Sequence, residues 1–334
     1  MRSSLFRVPD PWWQDRFFGS HAPNHTRQRL VIICNVHRGY IAQTNSCSAV
    51  VGVGWMLVEL AIGDAYGAGF EYAANRIVRE RNNLSAYVQH PRHRIKPGCY
   101  TDDTQMSLAV AEAIVSDEPW TPENLAQRFV AGFKRDPREG YAGSFYGFLQ
   151  EVKDGAEFLA RIRPESDKSG AAMRACPIGV YHPAAEVVRR STIQAVLTHN
   201  TPGGIRAAVA AALMTHYFIY RLGPKSDLGR FLVAQVSGPW AESWRGKVGA
   251  KGVESVHAAV SAVMAHGSLS RLLRACVALT GDVDTVATIA LAAASCSEEV
   301  VQDLPPQLVS GLENGPFGGD YLRELDARLM AKAG

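Results

Sequence analysis

After Ser48 the chain almost lacks period-two alternation of apolar and polar residues, and this limits it to helical architectures. Its apolar residues instead recur at intervals of three and four. Val50–Leu60 is apolar and ends at a Gly-Asp turn. Thr104–Val115 sets Met106, Leu108, Val110, Ala113 and Ile114 on one broad stripe. Thr121-Pro122-Glu123 combines an N-cap with proline at the first helical position and opens a helix through Phe133. Further helices are expected near 145–160, 183–197, 203–221, 226–235, 252–266, 269–279, 285–296 and 320–332. Only Val31–Val36 reads as a strand. The Ala-rich runs Ala207–Met214 and Val286–Ala294 offer small faces suited to close helix packing. There is no internal repeat and no low-complexity tract. The expectation is an all-α fold, one compact multi-helix domain over 47–334.

Bulk properties remove several function classes. With 334 residues, 47% of them hydrophobic, the chain can bury a sizeable core. The net charge is only +3, and Lys and Arg are interspersed with Asp and Glu, so neither nucleic acid nor an anionic membrane is expected as a partner. The apolar segments Val50–Ile62 and Ala207–Tyr220 fall short of the ~20 residues needed to cross a bilayer, and Glu59 and His216 interrupt them. No signal-type apolar stretch follows Arg2 and Arg7, which points to a soluble, cytoplasmic chain. The six cysteines are scattered, without zinc-type spacing, and are expected as reduced, mostly buried thiols. Residues 1–46 differ from the rest, carrying Trp12, Trp13, Phe17 and Phe18 among polar residues with no helical period. They read as an N-terminal extension, either a disordered leader or an arm whose aromatics dock on a partner.

Three acidic segments carry the chemistry. They are Gly63-Asp64-Ala65-Tyr66-Gly67-Ala68-Gly69-Phe70-Glu71, Tyr100-Thr101-Asp102-Asp103-Thr104 and Thr280-Gly281-Asp282-Val283-Asp284-Thr285. The glycines of the first allow tight turns or close backbone approach. The second and third each place carboxylates beside a threonine hydroxyl at the start of an apolar helix. Taken singly, each reads as a helix cap. Two caps do not need four carboxylates, however, and a buried group of them would repel without a cation. Mg²⁺, a hard ion that takes oxygen ligands, suits such a set, and two ions could sit between the clusters. Asp167–Arg174 adds a small-residue turn opening a helix, an arrangement suited to phosphate. Thr198–Gly204 is a turn between helices, where His199 is either a ligand contact or a solvated loop residue.

In this order the segments resemble the ADP-ribosylglycohydrolase family. The resemblance covers roughly residues 50–300 and rests on GDAYGAGFE at 63–71, YTDDTQM at 100–106, SGAAMRACPIG at 169–179, THN at 198–200 and GDVDTVATIA at 281–290. Asp136–Tyr141 also looks like a family loop. The resemblance implies an all-α fold with two Mg²⁺ ions in a dinuclear cleft. Thr101, Asp102, Asp103, Asp282, Asp284 and Thr285 would be the ligands, and Glu71 would lie near the metals and the scissile bond. The phosphate turn would be Ser169, Gly170 and Ala171, with His199 near the nucleotide. The chain departs from the family where Lys168-Ser169-Gly170 replaces Gly-Asn-Gly, and where Thr280-Gly281 replaces a doubled glycine. None of these changes touches an implied metal ligand.

The implied activity is hydrolysis of the bond between ADP-ribose and a modified protein side chain, arginine first, with Glu71, Asp102 or Asp103 as the general base. Immunity against an ADP-ribosylating toxin is one setting for it. The alternative is a protein that binds ADP-ribose, or a toxin through residues 1–46, and acts by occlusion. Other helical Mg²⁺ enzymes fit less well. Asp102-Asp103 is followed by Thr-Gln-Met rather than completing D-D-x-x-D, and none of the ten histidines precedes an aspartate.

Overall fold

The computed structural model describes residues 56–333, and the expected arm at 1–46 and strand at Val31–Val36 lie outside them. The first helix, α1, is Met56–Ala68. It runs straight through the Gly63-Asp64 pair that the sequence suggests as a turn. The glycines serve a neighbouring helix instead. A Cβ on Gly63 would stand 2.6 Å from the Ala287 carbonyl oxygen, and one on Gly67 would stand 2.4 Å from the Asp284 Cα. Both contacts lie on one helix, Val283–Ser295. Moving four residues forward along α1 moves three backward along that helix, so the two are antiparallel with their backbones nearly touching.

The elements that follow are α2 (Asn75–Arg81), α3 (Asp102–Val115), α4 (Pro122–Arg135), α5 (Gly143–Glu151), α6 (Gly155–Arg161) and the single turn α7 (Gly170–Met173). Then come α8 (Ala184–Val196), α9 (Pro202–Ile219), α10 (Leu228–Gln235), α11 (Gly252–Ala265) and α12 (Leu269–Ala278). Val283–Ser295 is α13, followed by α14 (Pro306–Gly311) and α15 (Gly319–Met330). No strand forms among the described residues, only isolated bridges such as Val248 with Gly281. The all-α expectation holds.

Local chemistry explains the boundaries. The Thr121 hydroxyl accepts from the Asn124 N–H ahead of α4, and Thr201 does the same for Gly204 ahead of α9, each with proline next in line. The single helix expected near 145–160 is two, because Asp154 leaves the helical conformation to cap α6 through the Glu157 N–H at 2.9 Å. Gly155 then lets α6 press on α4, where a Cβ would meet the Gln127 nitrogen at 2.5 Å. Every residue of α13 is buried, as is α9 from Ala207 to Phe218. The expected stripe on α3 is a fully buried cylinder from Asp102 to Ile114. Small alanine faces allow such helices to sit at the centre, while α4 and α12 turn one apolar side inward. The cysteines described, Cys99, Cys176, Cys276 and Cys296, are free thiols. None of the described helices is long and apolar enough to cross a membrane.

Candidate active site

One side chain on α1 organises half of the site. Asp64, fully buried, accepts four hydrogen bonds from the start of α3. Its Oδ2 takes the backbone N–H of Thr101 at 2.9 Å, the N–H of Thr104 at 3.0 Å and the Thr104 hydroxyl at 2.6 Å, while Oδ1 takes the Thr101 hydroxyl at 2.8 Å. Asp64 thus caps α3 from a different helix and satisfies donors that a helix start leaves orphaned. Burial pushes its carboxyl pKa up, and the four donors act against that. The result is a fixed first turn that carries Asp102 and Asp103.

The antiparallel packing of α1 on α13 supplies the other half. It brings the turn after α1, with Glu71, beside the start of α13, with Asp282 and Asp284. Carboxylate oxygens of Glu71, Asp282 and Asp284 lie within 4.8 Å of one another. Gly281 makes the approach to α13 possible. Its φ is +98°, and a Cβ there would stand 1.8 Å from the Val248 carbonyl oxygen. Its own carbonyl accepts from the Tyr72 N–H at 2.8 Å, tying the Glu71 turn to the α13 loop. Ser255 of α11 donates to Asp282 Oδ2 at 2.9 Å. On the Asp102 side, Gly140 (φ +113°) comes so close that a Cβ would stand 2.0 Å from Asp102 Oδ1.

His90 holds the Glu71 turn from outside. Its Nδ1 accepts from the backbone N–H groups of Arg92 (3.0 Å) and His93 (2.9 Å), so the ring proton sits on Nε2, which donates to the Glu71 carbonyl at 2.7 Å. Burial lowers the His90 pKa, in keeping with a neutral ring.

The electrostatics of the cluster are those of like charges crowded out of water. Burial, then the charges of Asp282 and Asp64, raises Glu71 to about 7. Asp102, Asp103 and Asp284 are pushed well above the carboxylate range, by burial first and their acidic neighbours second. Asp282 is raised less, since hydrogen bonds from Ser255 and others oppose its burial. Asp103 Oδ2 is buried with no hydrogen-bond partner among the described residues. A buried acceptor without a donor is costly, and a cation satisfies it. The donor set, hard oxygens only, fits Mg²⁺.

These residues line a cleft of about 550 Å³ that also includes Tyr141, Phe145, Phe148, Ser169, Gly170, Arg174 and His199. Arg174 is fully buried, its guanidinium 4.4 Å from the Phe129 ring centre, and burial lowers its pKa to about 9. It donates to Gln194 Oε1 at 2.8 Å and to the Thr198 hydroxyl at 2.7 Å. With that lone pair taken, Thr198 is free to donate to His199 Nδ1, 2.7 Å away. His199 then carries its proton on Nε2, and burial holds its pKa down to about 3, so the ring is neutral.

Of the residues singled out in the sequence, Glu71, Asp102, Asp103, Asp282, Asp284, Thr285, Ser169, Gly170 and His199 share this cleft. Thr101 and Ala171, also buried, are not among its lining residues, and the Thr101 hydroxyl, which donates to Asp64 and accepts from the Asp103 N–H, keeps one lone pair for a cation. Sequence reading assigned no role to Asp64, although a lone carboxylate between helix-packing glycines was a usable signal. Ser255 and His90 carry no local pattern, and Arg174, although it ends the Asp167–Arg174 segment, carries no assigned role in the sequence.

Comparison with known proteins gives a consistent family. The family model described as ADP-ribosylglycohydrolase matches residues 53–334. The ADP-ribosyl-[dinitrogen reductase] glycohydrolase of Rhodospirillum rubrum is 26% identical over 82% of this chain and 94% of its own length. The ADP-ribosylarginine hydrolase Tri1 of Serratia proteamaculans is 24% identical over 49% of this chain and 46% of its own. The chain spans about half the length of most of the curated relatives it matches. A solved structure titled ADP-ribosylglycohydrolase-related protein complex superposes with a TM-score of 0.65 at 21% identity, covering 84% of this chain and 97% of that one. At that identity the likeness is one of fold.

Proposed function

Since this chain belongs to the ADP-ribosylglycohydrolase family, we propose that it is a Mg²⁺-dependent hydrolase that removes ADP-ribose from modified protein side chains, with arginine as the acceptor. The observation that carries the reading is the convergence of Glu71, Asp102, Asp103, Asp282 and Asp284 on one cleft, with a buried oxygen of Asp103 unpartnered. The Serratia relative, an ADP-ribosylarginine hydrolase by name, supports arginine.

Thr101, Asp102, Asp103, Asp282, Asp284 and Thr285 would hold two Mg²⁺ ions. When bound, the ions would supply charge stabilisation and positioning of the ribose beside the scissile bond. Glu71, half-buried and facing the cleft, takes a proton from the attacking water. The water oxygen bonds to C1 as the C1–N bond breaks through an oxocarbenium-like state, and its electron pair and a proton leave with the guanidine. His199 offers an Nε2–H donor to an oxygen of the substrate. Ser169 and Gly170, beside it, offer the phosphates a turn of small residues, with Ala171 packed behind. A wider setting, protection against an ADP-ribosylating toxin that residues 1–46 contact, rests on the aromatics of that segment and is tested by deleting it.

The test offers the purified protein arginine-linked and serine-linked ADP-ribosylated proteins side by side, with Mg²⁺. Release from the arginine linkage is expected. Release from serine alone would move the acceptor, and release from neither would favour binding by occlusion.

A further inference from the structure

The segment His90-Pro91-Arg92-His93-Arg94-Ile95-Lys96 lies between helices, with Arg92, His93, Arg94 and Lys96 exposed. It is pinned across one edge of the cleft. At one end His90 donates to the Glu71 carbonyl, and an Arg92 Nη2 donates to the Tyr72 carbonyl at 3.3 Å. At the other, the Arg94 N–H donates to Glu139 Oε2 at 3.2 Å, and the Glu139 carbonyl in turn accepts from the Asp102 N–H at 3.2 Å. The segment therefore spans from the Glu71 turn to the Asp102 turn, both of which line the cleft. Lys247 adds a further cation, its Nζ 5.3 Å from the Tyr72 ring centre. Among the described residues, no carboxylate lies within ion-pair distance of the Arg92, Arg94, Lys96 or Lys247 side chains.

We propose that this basic rim docks an acidic stretch of polypeptide flanking the modified side chain of the substrate protein. The inference rests on the hydrolase reading above. The bond to be broken lies at the carboxylates, so the ADP part of the substrate fills the cleft while the acceptor protein stays outside, across the edge beside Glu71 and Asp102. Arg92, Arg94, Lys96 and Lys247 stand along that edge without an acidic partner among the described residues. Opposite charge there raises the encounter rate and selects partners more than it deepens the grip.

The experiment uses the full chain and three probes: free ADP-ribosylarginine, and peptides holding one ADP-ribosylarginine flanked by either glutamates or lysines. The glutamate-flanked peptide should show a roughly tenfold higher kcat/KM than the lysine-flanked one, collapsing in about 0.5 M NaCl. Arg94→Glu with Lys96→Glu should reverse the preference while hydrolysis of free ADP-ribosylarginine stays within about twofold. The neutral pair Arg94→Gln with Lys96→Gln should abolish the preference, and keeps the test readable if charge reversal impairs folding. Anisotropy titration of the same peptides, labelled, reads the preference without turnover. Absence of a flank preference in both readouts overturns the proposal, as does equal slowing of all three substrates, which would mean that the cations serve the carboxylates or the diphosphate. Peptide preference in binding without cleavage of any probe would leave the docking surface standing and remove the hydrolase reading.

Discussion

Asp64 shows how much one buried side chain determines. It touches no cleft, yet its four hydrogen bonds set the position of Asp102 and Asp103. Asp64→Ala would leave those donors buried without a partner, so it should destabilise the chain by roughly 3–5 kcal/mol in chemical denaturation. Asp103→Ala should act the other way on stability. It removes one of several crowded carboxylates, so in EDTA the melting temperature should hold or rise. Turnover should nevertheless fall on the order of a thousandfold or more, as for loss of a main electrostatic group. A variant that melts earlier in EDTA would show that Asp103 is structural rather than a cation ligand. Residues of this kind divide what sequence can and cannot reveal. Asp102, Asp103, Asp282 and Asp284 were legible because adjacent or alternate carboxylates beside Thr are more than a cap needs. Asp64 was visible but unread, since its partners lie 37 and 40 positions away. His90 acts through a backbone carbonyl, which leaves no local pattern, and Arg174 stands inside the SGAAMRACPIG motif but acts through the Thr198 hydroxyl, 24 positions away.

Among elements, the antiparallel contact of α1 with α13 is what places Glu71 beside Asp282 and Asp284. Gly67→Ala tests it, because the new methyl would overlap the Asp284 Cα. Separating the helices should cost about 2–4 kcal/mol and weaken Mg²⁺ binding together with turnover. Normal stability and activity in Gly67→Ala would show that the close approach is dispensable. The helical periods of α3, α4, α8, α9 and α11–α13 are legible because each runs ten residues or more with an apolar pattern or a Thr-Pro start, and the eight-residue α10 is legible from Leu228, Phe231 and Leu232 at helical spacing. Helix α2, with no side-chain cap, and α14, six residues long, gave too little periodicity to detect. The glycines of α1 were read as a turn because a sequence shows that backbone must come close, but not whether the partner is its own chain neighbour or another helix.

Across the whole molecule, a second pair of acids joins the C-terminal helix to the first. Asp326 of α15 accepts from the Leu57 N–H at 2.8 Å, and Glu59 Oε2 and Asp326 Oδ1 are both buried with no hydrogen-bond partner among the described residues. Burial raises Glu59 to about 8 from 4.5, aided by the Asp326 charge, and raises Asp326 to about 7. A carboxyl whose folded pKa exceeds its unfolded value binds more protons when folded, so stability falls as pH rises, for Glu59 between 4.5 and about 8. Glu59→Gln keeps the shape without the charge. It should flatten that slope and be the more stable protein at pH 8, by about 1–3 kcal/mol. An unchanged slope would mean that Glu59 is solvated in the native state. Whether the carboxylates gathered by α1 form a Mg²⁺ site for removing ADP-ribose can be read from one assay. Release of ADP-ribose from an arginine-modified protein is followed with Mg²⁺, with EDTA, and with Asp284→Ala in Mg²⁺. Release is expected in the first case only, restored after EDTA by excess Mg²⁺, whereas equal release in EDTA or by the variant would rule the metal site out.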